Sequence, residues 1–223
     1  MKNQSKGMLA VLFLLLFLLF IIMLKVVNVE AIGPEGTSVG LSGLNGSIRD
    51  AIGTNMFWYY LTEGIGVLAI LTAVAFAALG AYQLIKRKSF LKVDKTILAL
   101  GGLYVIVIIL YVLFEKAVVN YRPVIMPGET EPEASFPSTH TMLIFVIFGS
   151  AAVALKRYLK NRKAYLISAA VCIGLIVLTV VGRLLSGVHW FTDIIGGILI
   201  SAALVCLFDQ INSMIDVKKA KRN

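Results

Sequence analysis

Three short polar segments interrupt an otherwise apolar sequence, and together they hold residues suited to phosphate chemistry. They lie at residues 116–123, 136–140 and 182–193, and they include both histidines of the chain. Arginine matches phosphate oxygens with a planar pair of donors, lysine adds a point charge, and histidine can attack phosphorus or donate a proton. The residue types therefore predict a phosphate-binding site that carries its own nucleophile.

The predicted phosphate ligands come from all three segments. Arg122, Arg183 and Lys116 supply positive charge. Ser138 stands where the N-cap of a helix is expected, with Thr139 directly after it. The amides from Ser138 onward could therefore point at an anion, with the helix dipole assisting.

The predicted catalytic residues are His189, Asp193 and His140. His189 and Asp193 are four residues apart, so they share one helical face if the last helix begins that early. The carboxylate could then keep one imidazole nitrogen protonated and leave the other free to attack. His140 would act as the general acid for the leaving oxygen.

Each of these residues also has a simpler interpretation. A histidine near a membrane interface often does no more than form hydrogen bonds, and Arg122 alone could extend its charge toward lipid headgroups. The joint occurrence favours function, because so many ionisable groups at one end of an apolar bundle are costly to keep.

The composition indicates an integral membrane protein. Of 223 residues, 59% are hydrophobic and only 15% are charged, and the mean hydropathy is +0.89. A water-soluble globule, a disordered chain, a disulfide scaffold and a coiled coil are all excluded by these figures. Cys172 and Cys206 lie inside apolar runs and form no metal or redox motif, so no cofactor is expected.

Six apolar runs are long enough to cross a bilayer as helices. They lie at 8–27, 57–84, 96–115, 139–155, 164–184 and 193–210. The predicted fold class is therefore all-α, a polytopic membrane protein with six transmembrane helices. The first run follows two lysines, and we expect an uncleaved anchor rather than a signal peptide because the run exceeds a usual signal core.

The basic residues predict the orientation. Most of the 21 lysines and arginines lie near the N-terminus, at 86–95, at 156–163 and in the C-terminal tail. By the positive-inside rule both termini are cytoplasmic, and the three polar segments share the non-cytoplasmic end. The net charge of +9 is thus a topology signal and does not indicate a nucleic-acid partner.

Two external segments connect the predicted spans. Residues 28–55 are rich in glycine, serine and asparagine, and a short interfacial helix could begin at 47–50. Residues 116–138 contain four prolines and are predicted to form an irregular loop. With no repeat and no second soluble region, residues 1–223 are expected to form a single membrane-embedded domain.

The three segments together resemble the signature of the type-2 phosphatidic acid phosphatase superfamily. Its six-helix core also occurs in vanadium haloperoxidases and glucose-6-phosphatase. The signature is Lys, six residues, Arg-Pro; then Pro-Ser-Gly-His; then Ser-Arg, five residues, His, three residues, Asp. The matching residues are Arg122-Pro123, Pro137-Ser138, His140, Arg183, His189 and Asp193. The resemblance covers about residues 57–210.

The sequence departs from the signature at three positions. Lys116 precedes Arg122 by six positions instead of seven, and Glu115 takes the place of the family lysine. Thr139 replaces a glycine, which would be strained if that position needed a positive φ. Gly182 replaces a serine, which would delete one phosphate hydrogen bond. The expected consequence is weaker phosphate binding.

The resemblance implies a metal-independent lipid phosphatase. His189 would form a phosphohistidine while His140 protonates the leaving group, and water would then hydrolyse the intermediate. Vanadate is expected to inhibit. The substrate would be a membrane lipid phosphate such as undecaprenyl diphosphate, phosphatidylglycerophosphate or phosphatidate.

Two other functions remain open from the sequence. A relative that binds lipid phosphate without hydrolysing it is consistent with the three departures. A transporter is disfavoured, because the polar residues cluster at one end and not at the bilayer midplane. Glu63, about a turn and a half inside the second predicted helix, either faces the site or binds a helix-end donor, because a carboxylate there needs a partner.

Overall fold

The computed structural model describes residues 2–220, which form seven α-helices and two short 3₁₀ turns. The helices are α1 (Lys2–Val26), α2 (Ser42–Ile52), α3 (Met56–Arg87), α4 (Lys95–Lys116), α5 (Thr139–Tyr158), α6 (Arg162–Ser186) and α7 (Phe191–Ala220). The 3₁₀ turns lie at Pro34–Gly36 and Phe90–Lys92. Within residues 2–220, extended pairing is limited to two isolated bridges.

Six of these helices are long and apolar enough to cross a bilayer. They are α1 and α3 to α7, and they coincide with the six predicted runs. The all-α, six-span prediction is confirmed. The helices extend beyond the apolar runs at their ends, most of all α7, because polar residues past the hydrocarbon core still continue the backbone hydrogen-bond ladder.

Short polar side chains mark where several helices begin. Asn55 accepts a hydrogen bond from the Phe57 amide at 3.0 Å, and Asp94 accepts one from the Thr96 amide at 3.0 Å. Asn161 does the same at the start of α6. Each satisfies an amide that has no partner inside its own helix, which is why the helices begin at these residues.

The bundle is centred on α5 and α7. About half of the apolar window of each is buried, against less than a quarter in the other spans. The outward faces of the surrounding helices are apolar, as lipid contact requires. The N-terminal helix α1 packs mainly along α7.

The short helix expected to begin at 47–50 is present as α2, but it begins earlier, at Ser42. Its buried Asn45 ties α2 to the start of α7. The Asn45 amide nitrogen donates to the Gly40 carbonyl at 2.8 Å and to Thr192 Oγ1 at 3.0 Å, and its oxygen accepts from the Thr192 amide. Through Asn45, α2 helps to hold the first turn of α7.

The start of α5 reaches α7 through a close contact at two glycines. Phe136 is 1% exposed and stacks on Phe17, with ring centroids 5.9 Å apart. A Cβ at Gly196 would lie 2.3 Å from the Phe136 ring, and one at Gly197 would lie 3.0 Å from Thr141 Cβ. The absent side chains let the segment 136–140 lie against α7.

We therefore predict that Gly196→Ala destabilises the fold. The added methyl overlaps the buried Phe136 ring, which packs against Phe17, Phe20 and Phe114, so the free energy of unfolding is expected to fall by about 1–3 kcal/mol. Gly174→Ala is the matched control, because a Cβ at that helical glycine meets nothing within 4 Å. SDS titration of the two purified variants checks this. Equal stabilities would contradict the packing described.

Candidate active site

Arg183 is the centre of the polar cluster at the end of the bundle that carries the three segments. It lies in the last turn of α6 and its side chain is fully buried. Nη1 donates to Thr62 Oγ1 and to Glu63 Oε1, each at 3.2 Å, while Nη2 contacts His189 Nε2 at 3.0 Å. The guanidinium also lies over the Tyr59 ring, 5.1 Å from its centroid. One cation thus joins α3, α6 and the residues before α7.

His189 is held as a neutral imidazole. It lies between α6 and α7 and is 4% exposed. Because Arg183 can only donate, His189 Nε2 is the acceptor in their contact, and its lone pair points toward the cluster. Burial, with the charges of Arg122 and Arg183 adding to it, holds the pKa of His189 well below its usual range. A neutral imidazole whose Nε2 carries no proton has the lone pair that nucleophilic attack requires.

Asp193 lies beside His189 but makes its hydrogen bonds elsewhere. Because α7 begins at Phe191, Asp193 is in its first turn, and Oδ2 accepts from the Trp190 amide at 2.9 Å. Oδ1 accepts from Asn120 at 3.1 Å. The distance from Oδ2 to His189 Nδ1 is 3.6 Å, an ion-pair distance that exceeds a hydrogen bond. His189 and Asp193, which were predicted to act as a pair, therefore lie next to each other, and the Asp193 carboxylate also caps the N-terminus of α7.

His140 faces Glu63 across the cluster. It is the second residue of α5, and its Nε2 lies 3.0 Å from Glu63 Oε2. The ring rests against the backbone of α3 at Gly66, where a Cβ would lie 3.5 Å from it. Glu63 therefore connects His140 to Arg183, one carboxylate oxygen to each.

The start of α5 differs from the expectation at Ser138. Its amide donates to the Asp193 carbonyl at 2.9 Å, so it does not point at an anion. Its hydroxyl accepts from Thr141 Oγ1 at 3.0 Å. Among the described residues, the amides of Thr139 and His140 meet no acceptor, as expected for the first turn of a helix. Thr139 is helical and has no positive φ, so the condition under which it would be strained does not arise.

Arg122 lies in the loop between α4 and α5, partly buried beside the cluster. Its Nε forms an ion pair with Glu133 at 2.9 Å, and its amide donates to the Glu133 carbonyl. Within the described part of the chain, its buried Nη1 has no acceptor. The charge of Arg122 acts on His189 strongly enough to lower the pKa of that residue.

Lys116 is not brought into the cluster, so its predicted contact with phosphate stays a prediction. It is exposed, and neither it nor Glu115 forms a hydrogen bond or ion pair with any described residue. The buried face of α4 runs through Val107 and Phe114. Two residues further on, at about 100° per residue, Lys116 points to the opposite side of the helix.

Gly182 packs against α3. A Cβ there would lie 2.7 Å from the Thr62 methyl. The glycine therefore allows α3 and α6 to approach closely enough for Thr62 and Glu63 to reach Arg183. The loss of a phosphate hydrogen bond at this position stays a prediction.

Sequence reasoning missed several side chains that support the cluster. Asn120 holds Asp193, Asn45 holds the start of α7, and Tyr59 and Thr62 contact Arg183. These residue types are common in loops and helices, so nothing in their spacing identifies them. Residues 2–220 contain no group of three or more His, Cys, Asp or Glu side chains placed to hold a metal ion.

The buried neutral state of His189 predicts a pH dependence of stability. Below about pH 6.5 the unfolded chain binds a proton at this histidine and the folded chain does not. The free energy of unfolding therefore decreases as the pH is lowered, by up to about 1.4 kcal/mol per pH unit. The variant His189→Asn is expected to lack this component. SDS titration of both proteins between pH 7.5 and 5 measures the difference. Parallel curves would contradict a buried neutral His189.

Comparisons with known proteins agree with this architecture. A solved structure described as the first transmembrane PAP2 type phosphatidylglycerolphosphate phosphatase from Bacillus subtilis superposes with a TM-score of 0.67 at 21% identity, covering 93% of this chain and 97% of that one. No curated protein sequence matches significantly. The model of the PAP2 superfamily matches residues 103–215, about half of the chain. The chain is a multi-pass membrane protein and belongs to the PAP2 superfamily.

Proposed function

We propose that this protein is a metal-independent membrane phosphatase that hydrolyses a lipid phosphate or diphosphate through a phosphohistidine. One observation carries the proposal: the neutral Nε2 of His189 lies on the buried fork of Arg183, whose other arm leads through Glu63 to His140. A nucleophile, a cation for phosphate and a proton donor thus meet in one cluster. Membership in the PAP2 superfamily supports the same chemistry.

The proposed reaction has two steps. The lone pair of His189 Nε2 attacks phosphorus while the bond to the leaving oxygen breaks, and His140 transfers its proton to that oxygen. Water then attacks the phosphohistidine, His140 takes a proton from the water, and the nitrogen–phosphorus bond breaks. Arg183 and Arg122 stabilise the negative charge that develops on the phosphate oxygens.

Asp193 is proposed to orient His189 from its position 3.6 Å from Nδ1. A negative charge there favours the positive charge that the ring acquires as it bonds to phosphorus. Because Thr139 and His140 place two amides at the start of α5, we also propose that these N–H groups contribute to phosphate binding.

The proposed substrate is a lipid phosphate of the undecaprenyl diphosphate, phosphatidylglycerophosphate or phosphatidate class. The likeness in fold to a protein described as a phosphatidylglycerolphosphate phosphatase is consistent with this class. The cluster lies at the end of the bundle opposite the basic loops, so we propose that it faces the non-cytoplasmic leaflet and that both termini are cytoplasmic. The catalytic unit is proposed to be a single domain, with α1 packed on its core.

The direct test is phosphate release by detergent-purified protein on these three lipids in EDTA. We expect release from at least one lipid, and a loss of about 10³-fold or more in His189→Ala because the nucleophile is removed. A folded, monodisperse wild-type protein that releases no phosphate from any lipid would contradict the proposal. That result would favour a lipid-phosphate-binding protein.

A matched control comes from Lys116, which lies one position after the place of the family lysine and is exposed outside the cluster. We predict that Lys116→Ala changes kcat/KM by less than about threefold, as expected for an exposed charge without a partner. Steady-state kinetics on the preferred lipid measures this. A loss of a hundredfold would show that Lys116 reaches the phosphate during turnover.

A further inference from the structure

Glu63 occupies a position that the proposed reaction does not use. Its side chain enters the cluster from α3, with Oε1 3.2 Å from Arg183 Nη1 and Oε2 3.0 Å from His140 Nε2. The side chain is 36% exposed, unlike the fully buried Arg183. One carboxylate therefore bridges the group proposed to bind phosphate and the group proposed to protonate the leaving oxygen.

The contacts of Glu63 are those that phosphate oxygens would make. Arg183 Nη1 and His140 Nε2 have their donors directed at a carboxylate oxygen, and the same donors suit a phosphate oxygen. A phosphate that bound Arg183 and His140 would compete with Glu63 for these two donors. The phosphate and the Glu63 carboxylate would also repel each other, because both are negatively charged. Binding therefore requires the carboxylate to move, which its partial exposure permits.

The outcome of that competition depends on the charge of the incoming group. A monoanionic phosphodiester offers the two donors no more charge than Glu63 already does. A terminal phosphate or diphosphate carries about two negative charges at neutral pH. Arg122, whose charge acts on His189, adds to this preference, because its buried Nη1 has no acceptor among the described residues.

Resting on the proposed function, we propose that Glu63 is a specificity-determining residue that makes the site select dianionic terminal phosphates over monoanionic phosphodiesters. Phosphodiesters are the headgroup linkage of bulk phospholipids, and a site that opens at the membrane surface meets them continually. The carboxylate keeps Arg183 and His140 paired until a group of higher charge displaces it.

The test measures ligand binding, so it does not depend on turnover. Inorganic phosphate and soluble dihexanoyl phosphatidylglycerol are titrated by calorimetry into the wild type and into Glu63→Gln. We expect the isosteric variant to bind phosphate about tenfold more tightly, equivalent to about 1.4 kcal/mol of relieved competition. It should also bind the phosphodiester, which the wild type should not. A change that damaged only the structure would weaken binding of both.

Two further variants keep the result interpretable. Gly64→Ala, at a position where a Cβ meets nothing within 4 Å, is the control on α3 and should bind like the wild type. Glu63→Asp retains the negative charge but moves it away from the cluster by one methylene. It replaces Glu63→Gln in the test if the protein does not fold when Arg183 lacks a carboxylate partner. We expect it to bind phosphate about threefold more tightly.

Unchanged or weaker phosphate binding in folded Glu63→Gln or Glu63→Asp would overturn this inference. Binding of the phosphodiester by the wild type as tightly as by Glu63→Gln would overturn it as well. Tighter phosphate binding in the variants, together with no phosphate release by the wild type, would support the role of Glu63 and contradict the proposed hydrolysis. The two proposals therefore fail by different results.

Discussion

The buried guanidinium of Arg183 is the interaction on which the rest of this end of the bundle depends. Moving a charge from water into the protein interior costs several kcal/mol unless hydrogen-bond and charged partners compensate for the lost hydration. Thr62, Glu63 and His189 provide that compensation from two other parts of the chain. The close approach of α3 to α6 at Gly182 is therefore needed to bring Thr62 and Glu63 within hydrogen-bond distance of Arg183, and not only for apolar packing.

Polar contacts also position the loops around His189. The Trp190 indole donates to the Tyr121 carbonyl at 2.7 Å, and the Asn55 amide donates to the Ser186 carbonyl at 3.0 Å. Apolar burial distinguishes weakly between helix arrangements in lipid, so specific hydrogen bonds and small-residue contacts carry more of the specificity there. His189 is consequently held by its neighbours on both sides, with its Nε2 fixed on Arg183.

The six spans and the clustering of the polar segments were predictable because they follow from local composition and from counting crossings. The positions of Lys116, Ser138 and Gly182 relative to the neighbouring helices were not. Lys116 depends on the rotation of α4, Ser138 on a carbonyl of another helix, and Gly182 on how closely α3 approaches. Each depends on how two helices pack against each other, and the spacing of residues along the chain does not report this. The sequence identified Glu63 as a lone carboxylate within a predicted span, but it did not identify His140 and Arg183 as its partners.

If His189 Nε2 is the nucleophile, it carries the phosphoryl group during turnover, and locating that group tests the mechanism. The wild type is mixed with its preferred lipid, quenched in alkali within one turnover and examined by ³¹P NMR and peptide mass spectrometry. We expect a phosphohistidine on Nε2 of His189. A phosphoryl group on any other side chain would contradict it, as would turnover without a phosphorylated enzyme.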